Sequence, residues 1–357
     1  MVAHVPTKSG LEGQTVALLH RNGFVESAHA LALCASDASG RVVERIGNID
    51  ATVILRSTVK PFIAGAVVRC GAAEAVGFTG TELAIASGSH HGELEHVRIV
   101  EAMLEKIGLT AGALACGERP PKHQETAEAI LREGKEYNAL HDMCSGNHAT
   151  LLAMARHCGW PIDGYTRADH PVQRALFETY RRVFDVPGEL DYAIDGCNIP
   201  TLVISLRQLA LGFARFASLE GLDEEDGAAL LRVRTAMSDF PFAVGGTGSF
   251  DSALIARSKG RAMGKIGAEG MYGLAFPTLG IGVAIKVIDG SQRPLPIVVD
   301  RVLDQFEINT PDLHGALRPF FGDIHLRFDE TTPARDAYSR DTSPAVLESE
   351  LRSSRMQ

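Results

Sequence analysis

The sequence predicts an α+β fold: an antiparallel sheet built from both chain ends, with a helical lobe inserted between them. Three observations lead there. Short apolar segments bounded by turn residues stand near the start. Similar segments stand near the other end. Between them the apolar residues recur at helical spacing. The expected organisation is one catalytic domain over 1–357. Residues 14–55 and 240–310 form a sheet lobe, 56–239 a mainly helical lobe, and 328–357 a disordered tail rich in charge, Ser and Thr.

The elements follow in order. Val16 to Leu19 and Val42 to Arg45 read as strands around a turn at Ser36 to Gly40. Pro61 to Cys70 is mostly apolar and reads as a buried helix, with Pro61 in its first turn. Glu93 to Ile107 carries Leu94, Val97, Val100 and Leu104 on one face and is stopped by Gly108. His148 to Cys158 is a further helix, stopped by Gly159. Pro171 opens another, with Val172, Leu176, Tyr180 and Phe184 at helical spacing. Thr201 to Leu219 reads as one long central helix. Gly282 to Ile288 and Leu295 to Val299 read as strands joined by an Asp289-Gly290 hairpin.

Composition narrows the function class. The chain has 357 residues, 45% of them hydrophobic, which is enough for a sizeable core. Net charge is −9 and no basic run occurs, so nucleic acid is not an expected partner. No apolar stretch is long enough for a membrane span, and Met1 to Thr15 lacks an apolar signal core. Six scattered cysteines suit a reduced, cytoplasmic protein better than a disulfide framework.

Ser57-Thr58-Val59-Lys60 is the most telling motif. Residues three apart share a helix face, so Lys60 Nζ can reach Ser57 Oγ. Desolvation would lower the lysine pKa and let a neutral amine take the serine proton. The same spacing also fits a serine N-cap with a surface lysine. Ser87 to Glu93 (Ser-Gly-Ser-His-His-Gly-Glu) either caps a helix or presents a second hydroxyl, Ser89. The adjacent His90 and His91 diverge, so paired metal ligation is the lesser use of them. Cys144, before a helix, is either a reactive thiol, half of a metal site with Cys197, or a buried structural thiol. Gly245 to Ser249 lacks the Lys-Ser/Thr ending of a nucleotide loop and reads as a tight turn. Lys265, in Gly264-Lys265-Ile266-Gly267, is either a solvated strand end or a second cation lining the serine site. Ser-x-x-Lys, a second serine loop and a late Lys-x-Gly fall in the order seen in penicillin-recognising serine hydrolases and serine glutaminases.

The motifs together are more specific. Arg56-Ser57-x-x-Lys60-Pro61, Ser89-His90-x-Gly92-Glu93, Leu140-His141-x-x-Cys144-Ser145-Gly146 and Asp169-His170-Pro171-Val172-Gln173 are four of them. Asp195-Gly196-Cys197, Gly248-x-Phe250-Asp251 and Lys265-x-Gly267-Ala268-Glu269-Gly270 complete the set. Over roughly residues 15 to 305 the chain resembles the Rhizobium etli-type L-asparaginase family. The resemblance implies a β-lactamase/glutaminase-like fold, a homodimer, and hydrolysis of L-asparagine to L-aspartate and ammonia through a Ser57 acyl-enzyme. It implies Ser57, Lys60, Ser89 and Lys265 as the catalytic set. Arg56, Asn147, His148 and Asp195 are the expected substrate-binding residues. Cys144 and Cys197 are implied as zinc ligands, with no organic cofactor.

The chain departs from that pattern in three places, one being the tail after about Asp312, which matches nothing in it. Asn147 stands where the family commonly has a lysine beside the metal, which weakens the expected zinc site. Cys116-Gly117-Glu118-Arg119 lacks a histidine usual there. Two other functions stay open from the sequence: a related serine amidase, glutaminase or β-lactam-interacting hydrolase, and a non-catalytic amino-acid-binding protein.

Overall fold

The computed structural model describes residues 10–22, 24–322 and 324–326; the expected tail over 328–357 lies outside them. The strands are β1 (Gln14–Arg21), β2 (Phe24–Asp37), β3 (Val42–Ile46), β4 (Thr52–Ile54), β5 (Tyr192–Ile194), β6 (Pro200–Ser205), β7 (Met263–Gly267), β8 (Met271–Phe276), β9 (Ile281–Val287) and β10 (Ile324–Leu326). The helices of the middle are α1 (Lys60–Arg69), α2 (Ala72–Val76), α3 (Gly80–Ala86), α4 (Leu94–Lys106), α5 (Gln124–Arg132), α6 (Ser145–His157), α7 (Pro171–Phe184), α8 (Leu206–Ser218) and α9 (Glu224–Asp239). Toward the end come α10 (Pro241–Val244), α11 (Phe250–Ser258), α12 (Leu295–Gln305) and α13 (Pro311–Leu317).

Among the described residues, one sheet has seven strands in the order β10-β1-β2-β9-β8-β7, with β3 also on β2. Every pairing is antiparallel, and β2 meets β9 from Leu31↔Val287 to Asp37↔Ile281. Strands from both chain ends thus form one α+β sheet with the helices inserted between them, as expected. A small second sheet, β4-β6-β5, lies within the helical part.

The large sheet is covered on both faces. Leu31, Leu33, Tyr272, Leu274, Val283 and Ile285 face a core shared with Leu254 of α11, Leu295, Val299 and Leu303 of α12, and Leu313 of α13. Ala32, Cys34, Ala275 and Ala284 point the other way, toward α8 and the helical lobe. That face is made of small residues because α8 lies almost on the backbone. A Cβ on Gly282 would sit 2.0 Å from Ala214 N, and one on Gly273 would sit 2.0 Å from the Phe213 ring.

Four expectations are corrected. β2, the longest strand, has no counterpart in the sequence reading, and the Ser36–Gly40 turn joins β2 to β3 instead. Its Ala-Leu-rich sequence has one β-branched residue, Val25, and burial on both faces overrides that preference. Leu295 to Val299 is the start of α12, not a strand. Pro296 sits in its first turn, and Leu295, Val298, Val299, Val302 and Leu303 are buried at helical spacing. The expected long helix from Thr201 is strand β6 followed by α8, divided by a capping box in which Ser205 and Gln208 bond each other's backbone N–H. On α4 the buried face is His96, Val100, Met103 and Leu104, while Leu94 is exposed. No helix among the described residues is long and apolar enough to cross a membrane.

Candidate active site

Ser57 lies in a 3-10 turn, Arg56–Val59, that runs straight into α1. The turn is held by Thr58 Oγ1 donating to Leu55 O at 2.7 Å. Arg56 adopts a left-handed backbone, φ +52°, which is uncommon for a side-chain-bearing residue next to a candidate nucleophile. Strand β7 packs close to this turn; a Cβ on Gly267 would lie 3.1 Å from Leu55 O. Ser57 is half-buried and Lys60 buried.

Lys60 Nζ does not bond Ser57 Oγ among the described residues. It reaches Gly88 O at 2.8 Å, Ser89 Oγ at 3.1 Å, Cys144 Sγ at 3.2 Å and Met143 O at 3.4 Å. Lys265 Nζ, from β7, also donates to Ser89 Oγ at 3.1 Å and to Ile266 O at 2.8 Å. Ser89 Oγ therefore stands between two buried lysines. Its loop is fixed by Ser89 N donating to Val244 O at 2.8 Å. Glu93 Oε1 and Oε2 accept from Thr247 N and Oγ1, at 2.7 and 2.8 Å. His90 Nδ1 accepts from Gly92 N–H, which leaves Nε2 to meet Ser145 Oγ at 2.9 Å and tie the loop to α6. That fixes His90 as a structural link, and Gly245 to Ser249 forms the expected tight turn, with Gly246 and Gly248 at positive φ.

The two lysines differ electrostatically. Burial pushes both down. For Lys60 the thiolate charge of the Cys144–Cys197 pair, and then Asp142, outweighs burial and raises its pKa. This corrects the expectation that desolvation would lower it. For Lys265 burial dominates over the Asp251 carboxylate, and its pKa falls to about 8. Cys144 drops to about 7, chiefly through its hydrogen bond with Cys197 and then through Lys60. The Cys197 thiol is pushed up by the same partner and by burial.

A narrow cleft of about 20 Å³ opens over Ser57 and Lys60, walled by Arg56, Asn147, Asp195 and Cys197. Arg56 and Asp195 pair with each other there, at 2.8 and 2.9 Å. The Asn147 amide donates to Ala86 O at 3.1 Å. His148 does not line the cleft: it is fully buried in α6, with Nδ1 2.5 Å from Tyr165 OH, and burial lowers its pKa to about 3. Arg119, where the family's usual histidine is missing, joins the two cysteine loops. It donates to Gly196 O at 2.6 Å and lies 3.4 Å from the buried carboxylate of Asp142. Asp142 in turn accepts from Cys144 N at 2.8 Å.

Cys144 and Cys197 lie side by side, so two thiols could face a soft ion. A structural or catalytic zinc takes three or four protein donors. Among the described residues no three His, Cys, Asp or Glu side chains converge. Asn147 is turned to a backbone carbonyl, and Lys60 already sits on Cys144. The residues present do not fit a complete zinc centre.

The sequence reading missed Asp142, Arg119, Tyr165 and the contribution of Asp251. Asp251 had a signal within Gly248-x-Phe250-Asp251, and Arg119 one as the residue in place of the family's usual histidine.

Comparison with solved structures finds distant likenesses. One is Mglu in its native form in 4.3 M NaCl, with 14% identity and a TM-score of 0.36; 78% of this chain is covered, and the chain spans 61% of that one. Another is a β-lactamase from Mycobacterium bovis, with 15% identity and a TM-score of 0.41, covering 77% and 94% of the two chains. A third is a β-lactamase from Burkholderia vietnamiensis, with 15% identity, a TM-score of 0.34 and coverage of 74% and 85%. None of these bears on the chemistry of this chain. A search of curated proteins finds no match. The model of the L-asparaginase II family matches residues 17–330, which include every motif and every cleft residue described above, and the chain therefore belongs to the L-asparaginase II family of amidohydrolases.

Proposed function

We propose that the protein hydrolyses L-asparagine to L-aspartate and ammonia through an acyl-enzyme on Ser57. The observation that carries this reading is Ser89 Oγ, 3.1 Å from each of two buried lysine amines, beside the cleft that holds Ser57. Ser57 Oγ attacks the side-chain amide carbon. Its proton passes to Lys60 as Lys60 gives one to Ser89 and Ser89 gives one to neutral Lys265. Lys60 thus stays charged throughout, in keeping with its raised pKa, and Lys265 is the acceptor. The proton returns along the same path to the leaving ammonia, and water then cleaves the ester.

Arg56 and Asp195 suit the rest of the substrate. They form one ion pair with each other, and an α-amino acid brings the complementary carboxylate and ammonium. The zwitterion would exchange that one internal pair for two. No step here runs through a metal.

The test is ammonia release from L-asparagine and L-glutamine, and the colour change of a chromogenic β-lactam, with wild type and Ser57→Ala side by side. L-asparagine should be turned over, and Ser57→Ala should lose at least about 10³-fold in kcat with an unchanged melt, as expected when a covalent nucleophile is removed. Turnover of asparagine by Ser57→Ala above roughly a tenth of wild type would sink the nucleophile assignment.

A further inference from the structure

α11 follows the tight turn at Gly245–Ser249 and carries Asp251 in its first turn. Its carboxylate is buried. Oδ1 accepts from Tyr272 OH at 2.8 Å, and Oδ2 accepts from Ile266 N–H at 2.9 Å. Oδ2 also lies 3.6 Å from Lys265 Nζ. We propose that Asp251 is a positioning residue of the active site: it holds Lys265 on Ser89 and supplies the negative charge that sets how readily Lys265 takes the relayed proton.

Two of the three partners are neutral donors on different carboxylate oxygens, of which an asparagine could accept only one. The third is a cation, and only a carboxylate offers it charge. That charge is needed where it stands. Lys60 and Lys265 meet one hydroxyl oxygen from two sides, and two ammonium groups so placed repel each other. A carboxylate held away from water is costly unless paired and hydrogen-bonded, so its retention in the core argues for a use.

The groups facing Lys265 are few. Asp251 comes from α11, Lys60 from α1, Cys144 from the N-terminal cap of α6, and neutral Tyr272 from β8. Asp251 and Cys144 raise the Lys265 pKa against burial and Lys60, which leaves it near 8. The backbone is shaped for the arrangement: a Cβ on Gly264 would come 2.3 Å from Tyr272 OH. The turn before α11 also carries Thr247, which is bonded to Glu93 of the Ser89 loop, so the carboxylate and the serine are positioned together.

The inference rests on Lys265 as proton acceptor in the proposed hydrolysis. The hydrolytic reaction then needs neutral Lys265, so kcat/KM should rise with pH through about 8. An opposite charge within ~4–6 Å shifts a pKa by about 1–3. Asp251→Asn should therefore move that acid limb down by about one pH unit or more and lower the plateau kcat by about tenfold, since a weaker base accepts less readily. KM should change little. Tyr272→Phe removes a donor but keeps the charge; its limb should stay in place while its melting temperature falls. An unmoved limb in Asp251→Asn, or an equal movement in Tyr272→Phe, overturns the proposal. If Asp251→Asn does not melt cooperatively, Asp251→Glu carries the test: the limb should stay near 8 with a lower kcat, and a limb displaced as for a lost charge overturns the proposal. Lys265 is also titrated directly by NMR of ¹³C-labelled lysine, with Lys265→Arg for assignment. A lower midpoint in Asp251→Asn supports the proposal whether or not asparagine is turned over, and an unchanged one overturns it. A wild type inactive on asparagine but with the shifted Lys265 midpoint would fail the substrate reading alone.

Discussion

Lys60 and Lys265 share one hydrogen-bond acceptor yet hold their protons differently. Lys60 is kept charged by the thiols and by Asp142 around it. Lys60→Arg keeps that charge but cannot pass a proton on, because a guanidinium does not deprotonate in proteins. It should cost at least about 10²-fold in kcat, the scale of a lost general acid–base step, while melting near wild type. Ammonia release measured from pH 6 to 10 checks it, and an active Lys60→Arg would rule out the relay. The residues that gather around Ser57 and Ser89 were legible in the sequence because each sits in a local pattern. Ser57 and Lys60 are three apart at a helix start, Ser89 is in a run of small residues, and Lys265 is on a glycine-flanked strand. The roles of Asp142 and Arg119 were not legible. A single acid or arginine has no spacing of its own, and each gains a role only when two distant loops meet.

Elements were legible where the local signal and the packing agree. Pro171 with its apolar series gives α7, and Gly108 and Gly159 sit just past α4 and α6 at positive φ. The reading failed where packing overrides composition. β2 is alanine-rich because α8 leaves no room for more on one face, and that demand is invisible along the chain. α12 was misread because Leu-Pro-Ile-Val-Val is β-branched, yet its apolar residues continue at helical spacing to Leu303. The same close approach gives a prediction. Gly282→Ala would drive a methyl into the backbone of α8, 2.0 Å from Ala214 N and 2.2 Å from Ala210 O. Backbone cannot swing aside as a side chain can, so the loss should be about 3 kcal/mol or more. Urea unfolding measures it, and a loss under about 1 kcal/mol would mean that α8 shifts freely on the sheet.

At the scale of the molecule, the interior holds several uncharged imidazoles. His90, His91, His96, His141 and His148 all have lowered pKa values, in each case chiefly through burial. The unfolded chain binds protons at these sites near the ordinary value of 6.5, whereas the folded chain resists. Stability is therefore full above that pH and is lost as pH falls toward the folded values. Asp142 and Asp300 are shifted the other way by burial and offset part of the loss. For His148, lowered to about 3, the loss is about 2 kcal/mol at pH 5. Melting at pH 7.5 and 5 should show a clear fall, and a His148→Gln variant should show a smaller one. A fall of the same size in both would remove His148 from the account.

The pairing of β2 with β9 brings together segments about 250 residues apart, with Leu31 opposite Val287. Ribosomal synthesis runs in one direction, so the first strands emerge long before the partners that complete their sheet. A nascent chain that has reached the end of α9 holds Ser57, Lys60 and Ser89 but not Lys265, whose strand is still unmade. Contacts this distant in sequence also close slowly. The cluster of two lysines around Ser89 is thus complete only once the C-terminal strands emerge and pair.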